Sequence, residues 1–247
     1  MRHNDIKTAF IATSLCFFSA YSANALEMKE IGNFKIGDGE GYAEMLRYHA
    51  QSKSLMVTAS ETGTLERLSI QTPSNITRME AIDLSGGDVT AVAVHGNLVA
   101  ASIKADAADA AGMVKLFDVN AGEIASFSTG PLPDNLAFSP NGHYLLTANE
   151  GEPSDDYSVD PEGSFTLINL KSGPENAVVT QIGLAGFKAP NGGRIVKPDT
   201  SFAADAEPEY VAFDASGKTA YVTLQENNAV AVIDVEKAKV AGIVGLG

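Results

Sequence analysis

The sequence predicts an all-β fold, a β-propeller built from four-stranded antiparallel blades. A motif of an acidic residue, two residues, alanine, four residues and glycine recurs from Asp88, Asp134 and Glu209. Each copy contains two apolar strands around a turn, and helical periodicity is almost absent from residues 26–247. Repeats at intervals of about forty residues or more, each made of short strands, are typical of propeller blades.

The repeated segments align without gaps over their motif. They read DVTAVAVHGNLVAAS from Asp88, DNLAFSPNGHYLLTA from Asp134 and EYVAFDASGKTAYVT from Glu209. A looser copy starts at Glu44 and carries Arg47 and Ser52 where the others have alanine and glycine. Turns such as SPNG and DASG favour hairpins, because asparagine and glycine accept the positive φ angles that these turns require.

Further strands complete each unit. Alternating runs such as VKLFDV, SFTLINL and AVAVIDV supply a third strand, and the apolar stretch after the next polar turn supplies a fourth. A β-sandwich also has many short strands, but it does not explain the recurring motif. The sequence thus predicts about four blade units. Four units are few for a closed ring, although four-bladed propellers exist, so two alternatives stay open: a four-bladed ring, or an incomplete ring that forms the N-terminal part of a larger propeller.

The N-terminal residues have the pattern of a secretory signal peptide. Arg2 and Lys7 precede a short apolar run, and the tripeptide Ala-Asn-Ala ending at Ala25 matches a signal-peptidase cleavage site. We therefore expect a signal peptide over residues 1–25 and a propeller domain over residues 26–247. This predicts an exported protein, periplasmic or secreted.

The net charge of the protein limits the kinds of partner that it can bind. The formal net charge is −14, and such a polyanion repels nucleic acid, whose binding depends on lysine and arginine that neutralise phosphates. Acidic excess instead suits divalent cations. Cys16, the single cysteine, lies in the expected signal peptide, so no disulfide would hold the mature chain. No segment is long and apolar enough to predict a transmembrane helix.

Two long insertions separate the second and third motif copies. The first, NEGEPSDDYSVDPEGS from Asn149, is rich in carboxylates and contains no lysine or arginine. The second runs from Ala185 to Pro208. Long loops on a rigid β scaffold commonly carry binding or catalytic residues.

The positions of the acidic residues suggest a metal site. In a propeller the first strand of each blade lines the central channel, so the acids that open these strands would converge on one mouth. Oxygen ligands arranged in this way suit Ca²⁺. The alternative is a solvated acidic loop, since no DxDxDG calcium loop is present. The candidate metal ligands are Asp134, Glu150, Glu152, Asp155, Asp156, Glu207, Glu209 and Glu226.

Signs of catalysis are few. The sequence has no GxSxG elbow, HExxH helix, phosphate-binding P-loop or CxxC pair. Arg194 and Lys197 are the candidates for binding a phosphate group, because a cation beside metal-bound carboxylates is what phosphoryl transfer needs. Without such a role, both residues belong to an ordinary surface loop.

The sequence also resembles a known family. The segment from Gly217 to Gly247 is similar to YVTN-type propeller repeats, and NEGEPSDDY together with EPEY and LQENN resembles the choice-of-anchor I family of exported bacterial propellers. The resemblance covers residues from about Gly37 to the end of the sequence. It implies a propeller of the kind often described as alkaline-phosphatase-like or found beside phosphoesterase domains, although many members have no assigned activity.

Two functional hypotheses follow. The first is an exported, calcium-binding propeller that acts as a binding or scaffold module. Its partner would be a protein, a small molecule that carries a phosphate group, or the remaining blades of the propeller. The second is a metal-dependent phosphoesterase with its site at the channel mouth. Whether the protein is an enzyme is left open by the sequence.

Overall fold

Strands dominate the computed structural model, which describes residues 27–84 and 87–247. The signal peptide expected over residues 1–25 lies outside the described residues. Every strand lies in the unit formed by Ile31–Gly247. In the described part of the chain, no helix has the length and apolar character needed to cross a membrane.

The strands form four antiparallel sheets, one for each repeat. In the first blade, β4 and β5 both pair with β3, so two short strands share the place of the outer strand. The other three blades each have four strands that pair in chain order. The first blade contains β1 (Leu46–His49), β2 (Ser54–Ala59), β3 (Thr64–Ser69), β4 (Thr77–Arg78) and β5 (Ile82–Asp83); the second contains β6 (Asp88–His95), β7 (Leu98–Lys104), β8 (Ala111–Asp118) and β9 (Glu123–Pro131); the third contains β10 (Pro133–Phe138), β11 (Tyr144–Asn149), β12 (Ser164–Asn169) and β13 (Val178–Gly183); and the fourth contains β14 (Pro208–Phe213), β15 (Thr219–Leu224), β16 (Ala229–Asp234) and β17 (Lys239–Gly245).

The glycine of the repeat has a conformational role. Gly96, Gly142 and Gly217 lie in the turn between the first two strands of their blades, with φ angles of 54°, 69° and 69°. Glycine adopts this left-handed conformation without the steric cost that a Cβ imposes. In the first blade, whose copy lacks the glycine, Lys53 takes the positive φ of 50° instead. The repeat glycine thus marks the hairpin turn.

The hydrophobic core lies between neighbouring blades. Met56 and Leu65 pack with Val99 between the first and second blades. Leu116 packs with Leu136 between the second and third blades, and Phe165 packs with Val222 between the third and fourth blades. All seven side chains are buried, and burying a residue of this size contributes about 1.5–3 kcal/mol. The contacts between sheets, more than the individual hairpins, therefore hold the fold.

Hydrogen bonds also join the blades. Thr90 Oγ1 donates to the carbonyl oxygen of Pro133 at 2.6 Å, and the backbone N–H of Val211 donates to Asn135 Oδ1 at 3.2 Å. These bonds link β6 to β10 and β10 to β14, the first strands of successive blades. The first strands of neighbouring blades also contact one another, which makes them the innermost strands. The repeated acids therefore lie beside the channel that these strands surround.

Each of the two predicted insertions connects two consecutive strands. The acidic insertion joins β11 to β12, and the second insertion joins β13 to β14. The second insertion contains the single-turn helix α1 (Phe202–Asp205), capped by the Ser201 side chain, which accepts from the N–H of Ala204. Gly163 N donates to the carbonyl oxygen of Ala203 at 2.8 Å, which ties the end of the acidic insertion to α1.

Candidate functional site at the acidic mouth of the channel

A carboxylate lies at the start of the innermost strand of each blade. Glu44 precedes β1, Asp88 opens β6, and Asp134 and Glu209 are the second residues of β10 and β14. A cavity of about 450 Å³ lies at this end of the channel. We call this region the acidic mouth. Its cavity is lined by Glu44, Asp88, Asp134, Glu150 and Glu152, with Lys104 among them.

Glu150 lies at the centre of the charge at the acidic mouth. It follows the last residue of β11, and its backbone N–H donates to the carbonyl oxygen of Leu132 at 2.8 Å. Burial raises the pKa of its side chain to about 8, with further increases from the charges of neighbouring carboxylates. At neutral pH this group therefore holds a proton most of the time. The neighbours that raise its pKa are Asp134, Glu152, Glu207 and Glu209.

Lys104 supplies positive charge at the acidic mouth. It is the last residue of β7 and lies directly opposite Asp88, with 3.7 Å between its Nζ and Asp88 Oδ2. Burial and the charge of Glu152 raise the pKa of Asp134, while Lys104 lowers it. The sequence analysis missed Lys104, although the antiparallel hairpin of the second blade would have placed it opposite Asp88.

Glu209 and Glu226 form a carboxyl pair beside the acidic mouth. Burial, the charge of Glu226 and a hydrogen bond between the two side chains raise the pKa of Glu209 to about 7. The Oε2 atom of Glu226 is buried and has no hydrogen-bond partner. Gln225 Nε2 donates to Glu209 Oε1 at 3.2 Å. Because two close carboxylates repel each other, one proton shared by the pair lowers its energy.

The acidic insertion divides its carboxylates among different environments. Glu150 and Glu152 line the acidic mouth, whereas Asp155 lines a neighbouring cavity of about 300 Å³. Asp156 is exposed, and its Oδ1 accepts hydrogen bonds from Ser154 Oγ at 2.8 Å and from Ser158 Oγ at 2.7 Å. The bonds to Ser158 and then to Ser154 lower the pKa of Asp156 to about 2. Asp156 therefore stabilises a turn of its own loop.

Lys197 joins the two insertions. Its Nζ lies 3.1 Å from Asp160 Oδ1 and 2.9 Å from Glu207 Oε1, and it donates to the carbonyl oxygen of Ala204 at 3.1 Å. Burial opposes the charge on Lys197, but hydrogen bonds to Glu207 and Asp160 raise its pKa above the ordinary value. The predicted phosphate-binding cation is thus already paired with carboxylates of the protein.

Arg194 is also held by the protein. Its Nε donates to the carbonyl oxygen of Glu226, and its backbone N–H donates to the carbonyl oxygen of Asn227 at 2.9 Å. These bonds attach the second insertion to the turn between β15 and β16. Both residues predicted to bind phosphate therefore anchor this loop.

A buried carboxylate that the sequence analysis did not single out fixes the same loop. Asp205, at the end of α1, is fully buried and accepts from the backbone N–H groups of Val196 and Lys197 and from Asn227 Nδ2. Asn227 is fully buried as well, and its Oδ1 has no hydrogen-bond partner. The sequence contains no local signal for these contacts, because they join segments that are far apart in the chain.

The acidic mouth does not have the geometry of a preformed metal site. Among the residues that the structure describes, no group of three or more histidine, cysteine, aspartate or glutamate side chains is arranged to hold a metal ion. The carboxylates are close enough to shift one another's pKa values, yet a cation would have to draw them together. The acidic mouth is therefore a concentration of carboxylates that do not converge on one point.

The family of the chain follows from its sequence match. The model of the choice-of-anchor I domain matches residues 44–247, a span that includes the four blades, both insertions and the acidic mouth. The chain belongs to the choice-of-anchor I family. The family resemblance carried by NEGEPSDDY, EPEY and LQENN is thus confirmed. No curated protein sequence shows significant similarity to this choice-of-anchor I chain.

Solved structures support the fold. The chain is similar to hydrazine synthase of Kuenenia stuttgartiensis, with a TM-score of 0.58, 14% identity and coverage of 81% of this chain and 61% of that one. It is also similar to the β-propeller domain of Cps50 (Swd1) from Myceliophteria thermophila, with a TM-score of 0.58, 12% identity and coverage of 85% and 57%. The all-β propeller prediction is confirmed.

A third neighbour is a putative 6-phosphogluconolactonase from Bacteroides uniformis. Its TM-score is 0.55 at 12% identity, with coverage of 83% of this chain and 55% of that one. At such low identities these likenesses describe the fold alone. The choice-of-anchor I chain spans between 55% and 61% of the length of these three structures.

Proposed function

We propose that this choice-of-anchor I propeller is an exported binding module whose acidic mouth takes up a divalent cation, Ca²⁺ in preference to Mg²⁺. The observation that carries the proposal is the environment of Glu150. Four carboxylates lie close enough to raise its pKa, and two of them, Asp134 and Glu152, line the same cavity as Glu150, where Lys104 is the cation. A divalent cation would relieve a repulsion that the native fold maintains.

The source of the oxygen atoms favours a large, adaptable ion. Asp134 lies on β10, Glu150 and Glu152 on the acidic insertion, and Glu207 and Glu209 at the start of the fourth blade. Ca²⁺ accepts six to eight oxygen ligands in irregular arrangements, whereas Mg²⁺ requires octahedral geometry at shorter distances and gives up water reluctantly. Carboxylates from separate segments can approach Ca²⁺ without adopting one strict geometry.

Thermal unfolding with calcium and with chelator tests this proposal. Binding to the native state alone stabilises a protein by about 2.7 kcal/mol when the free ligand is a hundredfold above its dissociation constant. We expect the Glu150→Gln, Glu152→Gln double variant to lose most of the calcium-dependent shift. Asp156→Asn is the matched control, because Asp156 bonds to its own loop. It should respond to calcium like the parent protein.

Two outcomes would refute calcium binding at the acidic mouth. One is a melting temperature that is the same in calcium and in chelator. The other is a double variant that keeps the full calcium response, since the cation would then bind elsewhere. Repeating the titration with Mg²⁺ checks the proposed preference, which predicts a smaller shift at equal concentration.

The alternative function is a metal-dependent phosphoesterase with its site at the acidic mouth. Phosphoryl transfer needs cations that neutralise the charge developing on the phosphate oxygens. Lys197 is paired with Asp160 and Glu207, so its charge is already balanced, and Arg194 uses its Nε to hold the carbonyl oxygen of Glu226. These contacts favour the binding role. Hydrolysis of a chromogenic phosphate ester by purified protein, stimulated by calcium, would instead support the phosphoesterase.

Export is the remaining part of the proposal. It rests on the basic start, the apolar run and the cleavage signal ending at Ala25. Mass spectrometry of protein from a periplasmic or culture fraction should find Leu26 at the N-terminus. An intact start at Met1 in that fraction would contradict cleavage.

A further inference from the structure

Arg47 differs in kind from its counterparts in the other blades. The repeat places Ala91, Ala137 and Ala212 at its position in the second, third and fourth blades, so the first blade alone has a charged side chain there. Arg47 lies on the innermost strand β1, opposite Met56 of β2. The hydrophobic packing that selects a small residue in the other blades does not account for an arginine.

The guanidinium of Arg47 has unused donors. Its Nη1 donates to the carbonyl oxygen of Leu46 at 2.9 Å. Throughout the described residues, no carboxylate lies within ion-pairing distance of it, although the formal net charge of the protein is −14. An arginine presents five N–H donors in a planar fork that matches the two oxygens of a carboxylate. The protein leaves most of that fork free.

Arg47 lines a cavity of about 220 Å³ together with residues from all four innermost strands. His95 and Phe138 contribute aromatic rings from the ends of β6 and β10, with 5.9 Å between their centroids. Tyr210 of β14 lines the cavity too, and its side chain is 53% exposed. The cavity therefore combines one unpaired cation with three aromatic side chains.

The cavity extends toward the end of the channel away from the acidic mouth. Asp88 starts the strand that His95 finishes, and Asp134 lies four residues before Phe138, so at about 3.3 Å per residue these acids are about 23 Å and about 13 Å along the strands from the two rings. At physiological ionic strength, exposed charges are screened over about 8 Å. The charges of Asp88 and Asp134 are therefore screened at the end of the cavity formed by His95 and Phe138.

We propose that this cavity is a second binding site, which takes a small organic carboxylate carrying a flat apolar ring. The Arg47 guanidinium binds the carboxylate, and His95, Phe138 and Tyr210 contact the ring. A volume of 220 Å³ equals that of about seven water molecules, which suits a ligand with a single ring. The site is distinct from the proposed cation site, because the two use different residues.

Equilibrium titration of the purified protein with benzoate tests the proposal. Arg47→Ala gives the first blade the residue of the other three, so we expect it to fold; circular dichroism checks this. Hydrogen bonds to charged groups contribute about 1.5–3 kcal/mol, so this variant should bind benzoate at least about tenfold more weakly. Lys239→Ala is the matched control, because it removes one positive charge from β17 and should leave the affinity unchanged.

Two further probes define the ligand class. Benzamide keeps the ring but lacks the charge, and inorganic phosphate keeps the charge but lacks the ring. Both should bind at least about tenfold more weakly than benzoate, because each loses one of the two interactions. The proposal fails if the parent protein shows no saturable benzoate binding or if Arg47→Ala binds it equally well. Phosphate binding as tight as benzoate binding would also overturn it, since the aromatic side chains would then add nothing.

Discussion

Leu146 and Tyr221 occupy the same place in the third and fourth blades, but their environments differ. Each lies on the second strand of its blade, opposite the alanine of the repeat, Ala137 or Ala212. Leu146 is fully buried beneath the fourth blade, whereas Tyr221 is 45% exposed. The third strand of each blade shows the same contrast. Leu167, which pairs with Leu146, is buried, whereas Val232, which pairs with Tyr221, is half-buried.

This relationship predicts that the same kind of substitution destabilises the protein by different amounts at the two positions. Leu146→Asn would put an amide into a packed interface and should lower the free energy of unfolding by about 3 kcal/mol or more. Tyr221→Asn should cost about 1 kcal/mol or less, because its site already faces solvent. Urea unfolding of both variants measures the difference. Equal losses would mean that the outer face of the fourth blade is covered in solution.

The raised pKa of Glu150 predicts that stability falls as the pH rises. The native state holds this proton up to a pH of about 8, whereas the unfolded chain releases it near 4.5, so unfolding releases a proton in this range. The free energy of unfolding should therefore decrease between pH 4.5 and pH 8 in calcium-free buffer. Denaturant unfolding across this range measures the slope.

Glu150→Gln should remove part of that slope. The variant cannot ionise, so its native state avoids the repulsion at high pH and should gain about 1–2 kcal/mol at pH 8.5, a value reduced because the group keeps some contact with water. Glu162→Gln removes an exposed carboxylate from the same loop and serves as the control. A stability that rises steadily from pH 5 to pH 8 would show that Glu150 ionises normally.

Calcium affinity should increase with pH, because protons and the cation compete for the same oxygens. Glu150 and Glu209, with pKa values of about 8 and 7, are both largely protonated at pH 6. We expect calcium to bind at least about tenfold more tightly at pH 8.5 than at pH 6.5. Calorimetric titration at the two pH values measures this, and an equal affinity would exclude these two side chains as ligands.

Asp205 is expected to control the order of the second insertion. Asp205→Ala would leave the N–H groups of Val196 and Lys197 without an acceptor and would remove one of the two acceptors of the Asn227 amide, at a cost of about 2–4 kcal/mol. Limited proteolysis should then cut between residues 185 and 208 much faster than in the parent protein. Lys188→Ala, an exposed change in the same loop, should leave the cleavage rate unchanged. Identical rates for all three proteins would show that other contacts hold the loop.

The fold was largely predictable from the sequence, because the signals that specify it are local. Alternating apolar residues define strands, and the turn glycine at Gly142 or Gly217 marks each hairpin. The first blade was less regular, and there the outer strand is divided into β4 and β5. No repeated motif marks that division.

The candidate site was only partly predictable. The repeat placed Asp88, Asp134 and Glu209 at the starts of innermost strands, where the structure also has them. Composition alone could not separate Glu150, which lies in the acidic mouth, from Asp156, which bonds to Ser154 and Ser158. Both are acidic residues of one loop, and only the path of that loop distinguishes them.

The sequence by itself determined the repeated blade, the side of the fold on which its acids lie, and the arginine that breaks the repeat at Arg47. These features depend on residues near one another in the chain, whose spacing fixes strand, turn and face. The tertiary structure alone decided that Lys197 pairs with Asp160 and Glu207 and that Asp205 is buried against Asn227. Such contacts join distant segments, and they form because charged groups removed from water require partners that only the folded chain brings together.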